Sequence, residues 1–510
     1  MMNVGRLSLD NLEKFGTYTH LYYADRGYSN EESLAYAAAM ASTLEAHGVG
    51  TGDQVMVMMP NSPVVLAAFQ AAWKIGAVII PVTPQLGAPE VRYMLEDSDA
   101  EVVITAPVLA QTLAEATSGV EGFRELLVVG DTDVGVAANI EEEIEVGIGS
   151  GRIDRLDDRD DDDLALLLYT SGTTGSPKGV MLTHGNMYSN ALSCLEMSGD
   201  VTPGERGLAV LPLSHSYGVL MMNLGLLFGS VNALLPRFDI KLVFEYLEKY
   251  EISRFAVVPT MLSYMLNYPE RDKYDLSKLE SVGSGGAALA NEVRLEFERV
   301  FGCEVKEGYG MSECAPSATG YSEQDPYRPG SVGRAIPGVS VTIRDDANEE
   351  VARGSHGEIC MQGPNVMRGY WNKPEATAEA LAGGWLHSGD IGYLDDDGFV
   401  YITDRKKDLI IKGAENISPR EIEEALHEHP AVVEVAVVGV PDERFGEDIW
   451  AAVVVRHGAE VQEEELRAHT ANFVTRFKIP TRFVFRDELP KNPTGKIQKR
   501  AIREDLQALL

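Results

Sequence analysis

From residue 31 to residue 105, compact apolar runs alternate with stretches whose apolar positions recur at helical spacing. Glu31 to His47 is Ala-rich and amphipathic, and Gln54 to Met59 is a short apolar run. Ser62 to Ile75 is helical in period, Ala77 to Val82 apolar throughout, Pro89 to Asp97 amphipathic, and Glu101 to Thr105 apolar again. Short strands joined by helices call for right-handed βαβ units and a parallel sheet, hence a doubly wound α/β architecture. The pattern weakens over 107–163 and ends in the acidic run Asp157 to Asp163. That run has no turn glycine or ligand alternation, so it reads as a solvated loop and not a cation site.

The alternation resumes with a strand over Leu164 to Leu168, a second over Gly179 to Leu182 and a helix over Thr183 to Leu195. Further on, Phe255 to Pro259 reads as a strand, while Met261 to Leu266 and Asn291 to Phe301 read as helices. Residues 329–404 are rich in Gly and in short strand signals, as in a small β-subdomain. The apolar strands Phe399 to Ile402 and Leu409 to Ile411 flank a charged turn, the pattern of a hinge. After it, Ser418, Pro419 and Glu421 occupy the N-cap, first and third positions of a capping box that starts a helix over Pro419 to His427. A strand over Val432 to Val440, a helix over Gln462 to Phe473 and a strand over Arg482 to Phe485 complete a small α+β domain. The predicted organisation is a large N-terminal domain of α/β subdomains plus the β-subdomain over 1–404, a hinge over 405–408 and a small mobile domain over 409–510.

Charge refines this picture. The 510 residues carry a net charge of -34, which argues against nonspecific binding to nucleic acid or anionic membranes. Residues 405–510 hold 17 Lys/Arg against 19 Asp/Glu, so nearly all of the excess lies on 1–404 and the smaller part is relatively basic. Polyanionic small ligands would be met from that side. The four cysteines, Cys194, Cys303, Cys314 and Cys360, show no metal or disulfide spacing, which fits a reducing cytoplasm. The N-terminus lacks a signal-peptide pattern, and no apolar run is long enough to span a bilayer.

The strongest chemical signal follows the strand ending at Leu168. Tyr169-Thr170-Ser171-Gly172-Thr173-Thr174-Gly175-Ser176-Pro177-Lys178-Gly179 is almost wholly Gly, Ser and Thr with one Lys. Glycines with positive φ let successive amides converge on an anion, and hydroxyls and an ammonium add donors, so a triphosphate is the natural guest. A Walker A loop needs Gly-Lys-Ser/Thr followed at once by a helix; here Pro177 intervenes and a strand follows. A second Gly-rich turn, Ser281 to Ala287, also follows a strand and would let backbone approach a flat ligand.

Together with Leu211-Pro212-Leu213-Ser214-His215, Gly308-Tyr309-Gly310-Met311-Ser312-Glu313, Ser388-Gly389-Asp390, Asp404-Arg405-Lys406-Lys407 and Pro493-Thr494-Gly495-Lys496, the loop resembles the motif series of the adenylate-forming superfamily. Within it the chain is most similar to bacterial fatty-acyl and carboxylate–CoA ligases, and the match extends from 169 to 498. The resemblance implies ATP, Mg2+ and CoA as ligands and a small carboxylic acid as substrate, joined through an acyl-adenylate. It assigns Thr170, Ser171, Gly172, Thr173, Thr174, Gly175 and Lys178 to the ATP phosphates. Gly285, Gly286, Ala287, Gly308, Tyr309, Gly310, Met311 and Ser312 fall to adenine and the α-phosphate, Asp390 and Arg405 to the ribose, and Glu313 to Mg2+. Lys496 bridges carboxylate and α-phosphate, and Lys496, His215, Glu313 and Thr170 form the catalytic set. Lys407 is the hinge, and Lys412, Gly413 and Ala414 stand beside the CoA channel. His215, Val219, Met222, Ser284, Met311 and Ala315 surround the acyl group, with no carboxylate placed for an amino acid substrate. The alternatives are transfer to the phosphopantetheine of an acyl carrier protein, or a reaction that stops at acyl-AMP, and, from another class, a catalytically silent nucleotide-binding protein. A homodimer is compatible with the resemblance.

Overall fold

The computed structural model describes residues 3–149, 153–170, 177–199, 202–413, 415–456, 458–459, 461–491 and 496–510. Two large sheets carry the N-terminal part. The first has eight strands, in the order Gly369–Tyr370, Lys178–Thr183, Leu164–Thr170, Val78–Val82, Gln54–Met58, Val102–Thr105, Glu125–Val128 and Ala137–Asn139. The second has seven, in the order Glu304–Glu307, Ser281–Ser284, Arg254–Val257, Arg206–Ala209, Val231–Leu234, Thr19–Tyr23 and Arg26–Ser29. The βαβ expectation for 31–105 holds: the strands over 54–58, 78–82 and 102–105 are parallel, joined by helices Pro63–Lys74 and Ala88–Ser98.

Local chemistry sets the helix starts. Ser29 and Glu32 form a reciprocal capping box on Asn30–Ala46. Ser62 accepts from the Val65 amide, with Pro63 in the first turn of the next helix. That second helix is buried on nearly every side because Ala67, Ala68, Ala71 and Ala72 let neighbours approach it. Its Trp73 is wholly buried and donates from Nε1 to the Ala165 carbonyl at 2.9 Å. Lys74 is equally deep; its ammonium donates to the carbonyls of Ile153 (2.8 Å) and Arg155 (3.2 Å), and burial pushes it down to about 8.

The strands over 164–170 and 178–183 pair antiparallel with Thr170 opposite Lys178, as the two arms of a hairpin. As the sequence requires of a loop that is not Walker A, a strand comes next and helix His184–Met197 only after it, started by a Thr183/Asn186 capping box. The β-subdomain expected over 329–404 is a four-stranded antiparallel sheet, Ser340–Arg344, Gly357–Gln362, Leu386–Leu394 and Val400–Arg405. Gly369–Tyr370 departs from that expectation and joins the edge of the eight-stranded sheet, opposite Met181 and Val180.

The strand expected to end at Ile402 continues to Arg405, held by its pairing to Asp390. The chain then enters a five-stranded sheet at Ile410. Helix Pro419–His427 starts where its cap places it, but only half the box forms: Ser418 Oγ accepts from the Glu421 amide, while the Glu421 carboxylate pairs with Lys478 at 2.6 Å. The helix expected over 462–473 ends at Thr470.

One glycine in the site is fixed by sterics. A Cβ on Gly310 would stand 1.9 Å from the Pro316 carbonyl oxygen. Gly310→Ala is expected to cost on the order of 3 kcal/mol, read as a lowered Tm or lost soluble yield. A wild-type melting curve for this variant would refute the close approach.

Candidate active site

The motif residues, far apart in sequence, converge on one cleft at the carboxyl ends of the seven-stranded sheet. Tyr309 follows the strand Glu304–Glu307, and its hydroxyl donates to Asp390 Oδ2 at 2.5 Å. Arg405 Nε donates to the other Asp390 oxygen at 2.9 Å. Asp390 is itself buried, and its backbone N–H donates to Ser388 Oγ at 3.0 Å, a serine-closed turn. Burial and the Asp390 carboxylate push the Tyr309 phenol well up, so it stays a neutral donor.

Glu313 forms a second cluster. Its carboxylate accepts from Tyr370 Oη at 2.8 Å, and Lys178 stands 4.9 Å over the Tyr370 ring. Burial raises the Glu313 carboxyl, opposed by the Tyr370 bond and by the positive charges of Arg405 and Lys178. Nothing in the sequence analysis points to Tyr370; its placement opposite Val180 brings it to Glu313.

His215 caps helix Ser216–Phe228, its Nδ1 accepting from the Tyr217 amide at 3.3 Å. The adjacent Ser216 hydroxyl lies 3.2 Å from that of Ser312, which joins this element to the Tyr309–Glu313 segment. Burial, with Lys496 nearby, pushes the imidazole down to about 4, so it is neutral at pH 7. Gly285 and Gly286 make the turn after Ser281–Ser284; Gly286 has φ +83° and Gly285 packs beneath Tyr217. Ala287 and Gly308 bracket the same region in the chain.

Lys496 reaches this cleft from the C-terminal part. Burial, with the Arg405 guanidinium, pushes its ammonium down to about 8, and Asp390 opposes the shift. Two sets of contacts hold the C-terminal part in place. Asp404 Oδ2 accepts from Ser418 Oγ at 2.6 Å and from the Arg420 amide at 3.2 Å, and Arg420 donates to the Ile402 carbonyl at 2.6 Å. On the segment leading to Lys496, Lys491 Nζ donates to Tyr264 Oη at 3.0 Å and pairs with Glu434 at 2.7 Å. Neither Asp404 nor Lys491 was singled out from the sequence, where each reads as one more charge.

The residues expected at the hinge and beside the CoA channel belong to the linker and the C-terminal sheet. Lys412 is buried in the C-terminal sheet, ion-paired with Asp448 at 2.8 Å and packed over Phe477 and Phe445. Gly413, with φ +58°, turns the hairpin that follows it. Lys407 sits between Arg405 and Ile410, and burial lowers its ammonium. Ser171, Gly172, Thr173, Thr174, Gly175 and Ala414 lie outside the described residues.

An apolar cavity of about 360 Å³ opens beside His215, between helix Ser216–Phe228 and the seven-stranded sheet. Of the residues expected around the acyl group, Met222 lines it, whereas Val219 and Ala315 pack into the central core. His215, Ser284 and Met311 are not among its walls. Tyr217, Gly218, Met221, Ala256 and Gly283 line it instead. The small ones, Ala256 and Gly283, sit opposite each other in adjacent strands, a period-two signal the sequence reading passed over.

Two stacked α/β sheets, a β-subdomain and a small C-terminal domain that delivers a lysine to their cleft define a two-domain adenylate-forming enzyme. The chain belongs to the AMP-binding enzyme family, whose description matches residues 10–371, with the AMP-binding enzyme C-terminal domain matched over 421–496. It is 37% identical to a long-chain-fatty-acid–CoA ligase of Bacillus subtilis, over 97% of this chain and 93% of that one. Identity is also 37% to a feruloyl-CoA synthase of Amycolatopsis sp, over 91% of each. The crystal structure of ATP-bound MatB from Rhodopseudomonas palustris matches it with a TM-score of 0.89 at 31% identity, covering 99% of both chains.

Proposed function

We propose that the protein is an AMP-forming carboxylate–CoA ligase that activates an apolar carboxylic acid as its acyl-adenylate and transfers the acyl group to CoA. The observation that carries this reading is the convergence of Tyr309, Asp390, Arg405, Glu313, His215 and Lys496 on one cleft with an apolar cavity beside it. The relatives named above as CoA ligases support CoA over a carrier protein as acceptor. The four cysteines are all free thiols, which supports a cytoplasmic setting. Among the described residues no helix is long and apolar enough to cross a membrane.

A carboxylate and the ATP α-phosphate repel each other, so the site must neutralise charge and hold both in line. Tyr309 offers a ring face to adenine, and Asp390 accepts from the ribose hydroxyls, with Arg405 keeping its carboxylate oriented. Lys178 and the loop preceding it receive the β- and γ-phosphates. Lys496 places its ammonium between carboxylate and α-phosphate as the new bond forms. Neutral His215 lies where the acyl group enters and takes no proton at pH 7. Glu313, a buried hard oxygen donor beside Lys178, fits Mg2+, which would be held there together with phosphate oxygens. When bound, the ion screens the pyrophosphate as it leaves. A thiol needs no base on the enzyme to attack the adenylate. The small domain turns about Lys407 between the two half-reactions, withdrawing Lys496.

The test is acid-dependent ATP–pyrophosphate exchange over aliphatic, aryl and alicyclic acids, followed by product analysis with CoA. Exchange plus thioester supports the ligase; exchange without thioester returns the carrier-protein reading, and no exchange returns the silent binder. The Lys491–Tyr264 bond makes a second expectation. Tyr264→Phe should slow adenylation about threefold to tenfold by loosening the docked state, while leaving thioester formation from supplied acyl-adenylate unchanged. Equal slowing of both half-reactions would show that the bond is not a latch.

A further inference from the structure

The cavity beside His215 runs between helix Ser216–Phe228 and the seven-stranded sheet, away from the residues assigned to the nucleotide. Its floor includes the small sheet residues Ala209, Ala256 and Gly283, beneath Met221 and Met222, while the Asn232 amide lies over Gly207. Gly207 pairs with Asn232 and Asn232 with Leu21, and all three line the cavity, whose walls therefore reach the far strand, Thr19–Tyr23. From Ser281–Ser284 to Thr19–Tyr23 the strand order gives four spacings, roughly 19 Å.

The far end changes character. His20, Ser33, Ser8 and Gln70 line it. His20 Nε2 lies 2.7 Å from Ser33 Oγ, and burial pushes the imidazole down to about 4, so this pair is neutral at pH 7. Gln70 is only 7% exposed; one end of its amide meets Ser8 Oγ at 3.0 Å, and the other, Nε2, has no partner among the described residues. Turning the amide over leaves an oxygen unmet instead of an NH2, so either assignment leaves a buried polar group to be satisfied. The cavity's cationic side chains differ, because they are already paired: Arg254 with Glu205 at 2.9 Å, Arg206 with Glu251 at 3.3 Å and Lys306 with Glu304 at 3.4 Å.

We propose that this cavity selects an elongated acid whose tail carries a neutral oxygen function, hydrogen-bonded by Gln70 and the His20–Ser33 pair. A plain alkyl tail would leave Gln70 unsatisfied, and a second carboxylate would be buried in a cavity whose Lys and Arg side chains already have carboxylate partners. The inference rests on the ligase reading and narrows its substrate class.

The experiment compares kcat/KM for adenylation of alkanoates, ω-hydroxyalkanoates and α,ω-dicarboxylates of increasing length, in the wild type and in Gln70→Leu. A ω-hydroxy acid of the best length should exceed the matching alkanoate about tenfold, and the dicarboxylate by more. In Gln70→Leu the hydroxy-to-alkanoate ratio should fall to about one. Should that variant not fold, Ser33→Ala should lower the same ratio about threefold. A ratio unmoved by these substitutions, or exchange with only short or aryl acids, overturns this inference and leaves the ligase intact. No exchange with any acid overturns both.

Discussion

Lys496→Ala is expected to lower acid-dependent ATP–pyrophosphate exchange about a thousandfold while sparing thioester formation from supplied acyl-adenylate. The magnitude is that of removing one preorganised charge aimed at a transition state. The asymmetry follows from where the residue sits: Lys496 meets Arg405, Asp390 and His215 only because the small domain is docked by Asp404 and Lys491. Burial and Arg405 also set a pH dependence, since they bring the ammonium down to about 8. The cation is the working form, so activity is present below that pKa and lost as pH rises through it. kcat/KM for adenylation, which reports the free enzyme, should therefore fall above about pH 8. The same limb in kcat should lie higher, because bound ATP and carboxylate favour the charged lysine. Lys496→Arg, weak as it would be, should move the kcat/KM limb beyond the measurable range. A thousandfold loss in both half-reactions would mean that the lysine serves folding or thioester formation instead.

What could be read from the sequence was whatever depends on neighbours in the chain. The caps at Ser29, Ser62, Thr183 and Ser418 lie beside the helices they start, and the strands over 54–58 and 78–82 are continuous apolar runs. The motif residues were legible because their spacing is a family pattern. What was not legible depends on partners hundreds of residues away. Tyr370 meets Glu313 only through an edge strand added to a sheet begun far earlier, and Lys491 meets Tyr264 only when two domains dock. The acyl pocket was sought among residues near the motifs, yet its walls come from separate helices and strands, with the small Ala209, Ala256 and Gly283 among larger apolar side chains. Val219, apolar and close in sequence to His215, turns the other way into the core. The strand Gly446–Val455 was not read, although its apolar half, Ile449 to Val455, is a continuous run of the same kind; its first residues, Gly446 to Asp448, are polar and carry the pairing into the charged turn.

Asp390→Ala should lower kcat/KM for ATP about a hundredfold, but a loss of that size would also follow if the carboxylate merely organised its neighbours. It holds the Tyr309 hydroxyl at 2.5 Å and the Arg405 guanidinium at 2.9 Å, so its removal leaves a buried phenol and a guanidinium unpaired. Arg405 is 37% exposed at its side chain, so water takes up part of the deficit and the stability loss should stay near 2 kcal/mol. The two roles separate on the substrate side. If Asp390 accepts from the ribose hydroxyls, wild-type enzyme should discriminate against 2′,3′-dideoxy-ATP about a hundredfold, because the analogue leaves a buried carboxylate short of donors. In Asp390→Ala the two nucleotides should be used at nearly the same rate, since nothing remains to tell them apart. This is a double-mutant cycle with one mutation placed on the ligand. Discrimination that survives in Asp390→Ala would assign the ribose to another group and leave Asp390 as the brace between Tyr309 and Arg405.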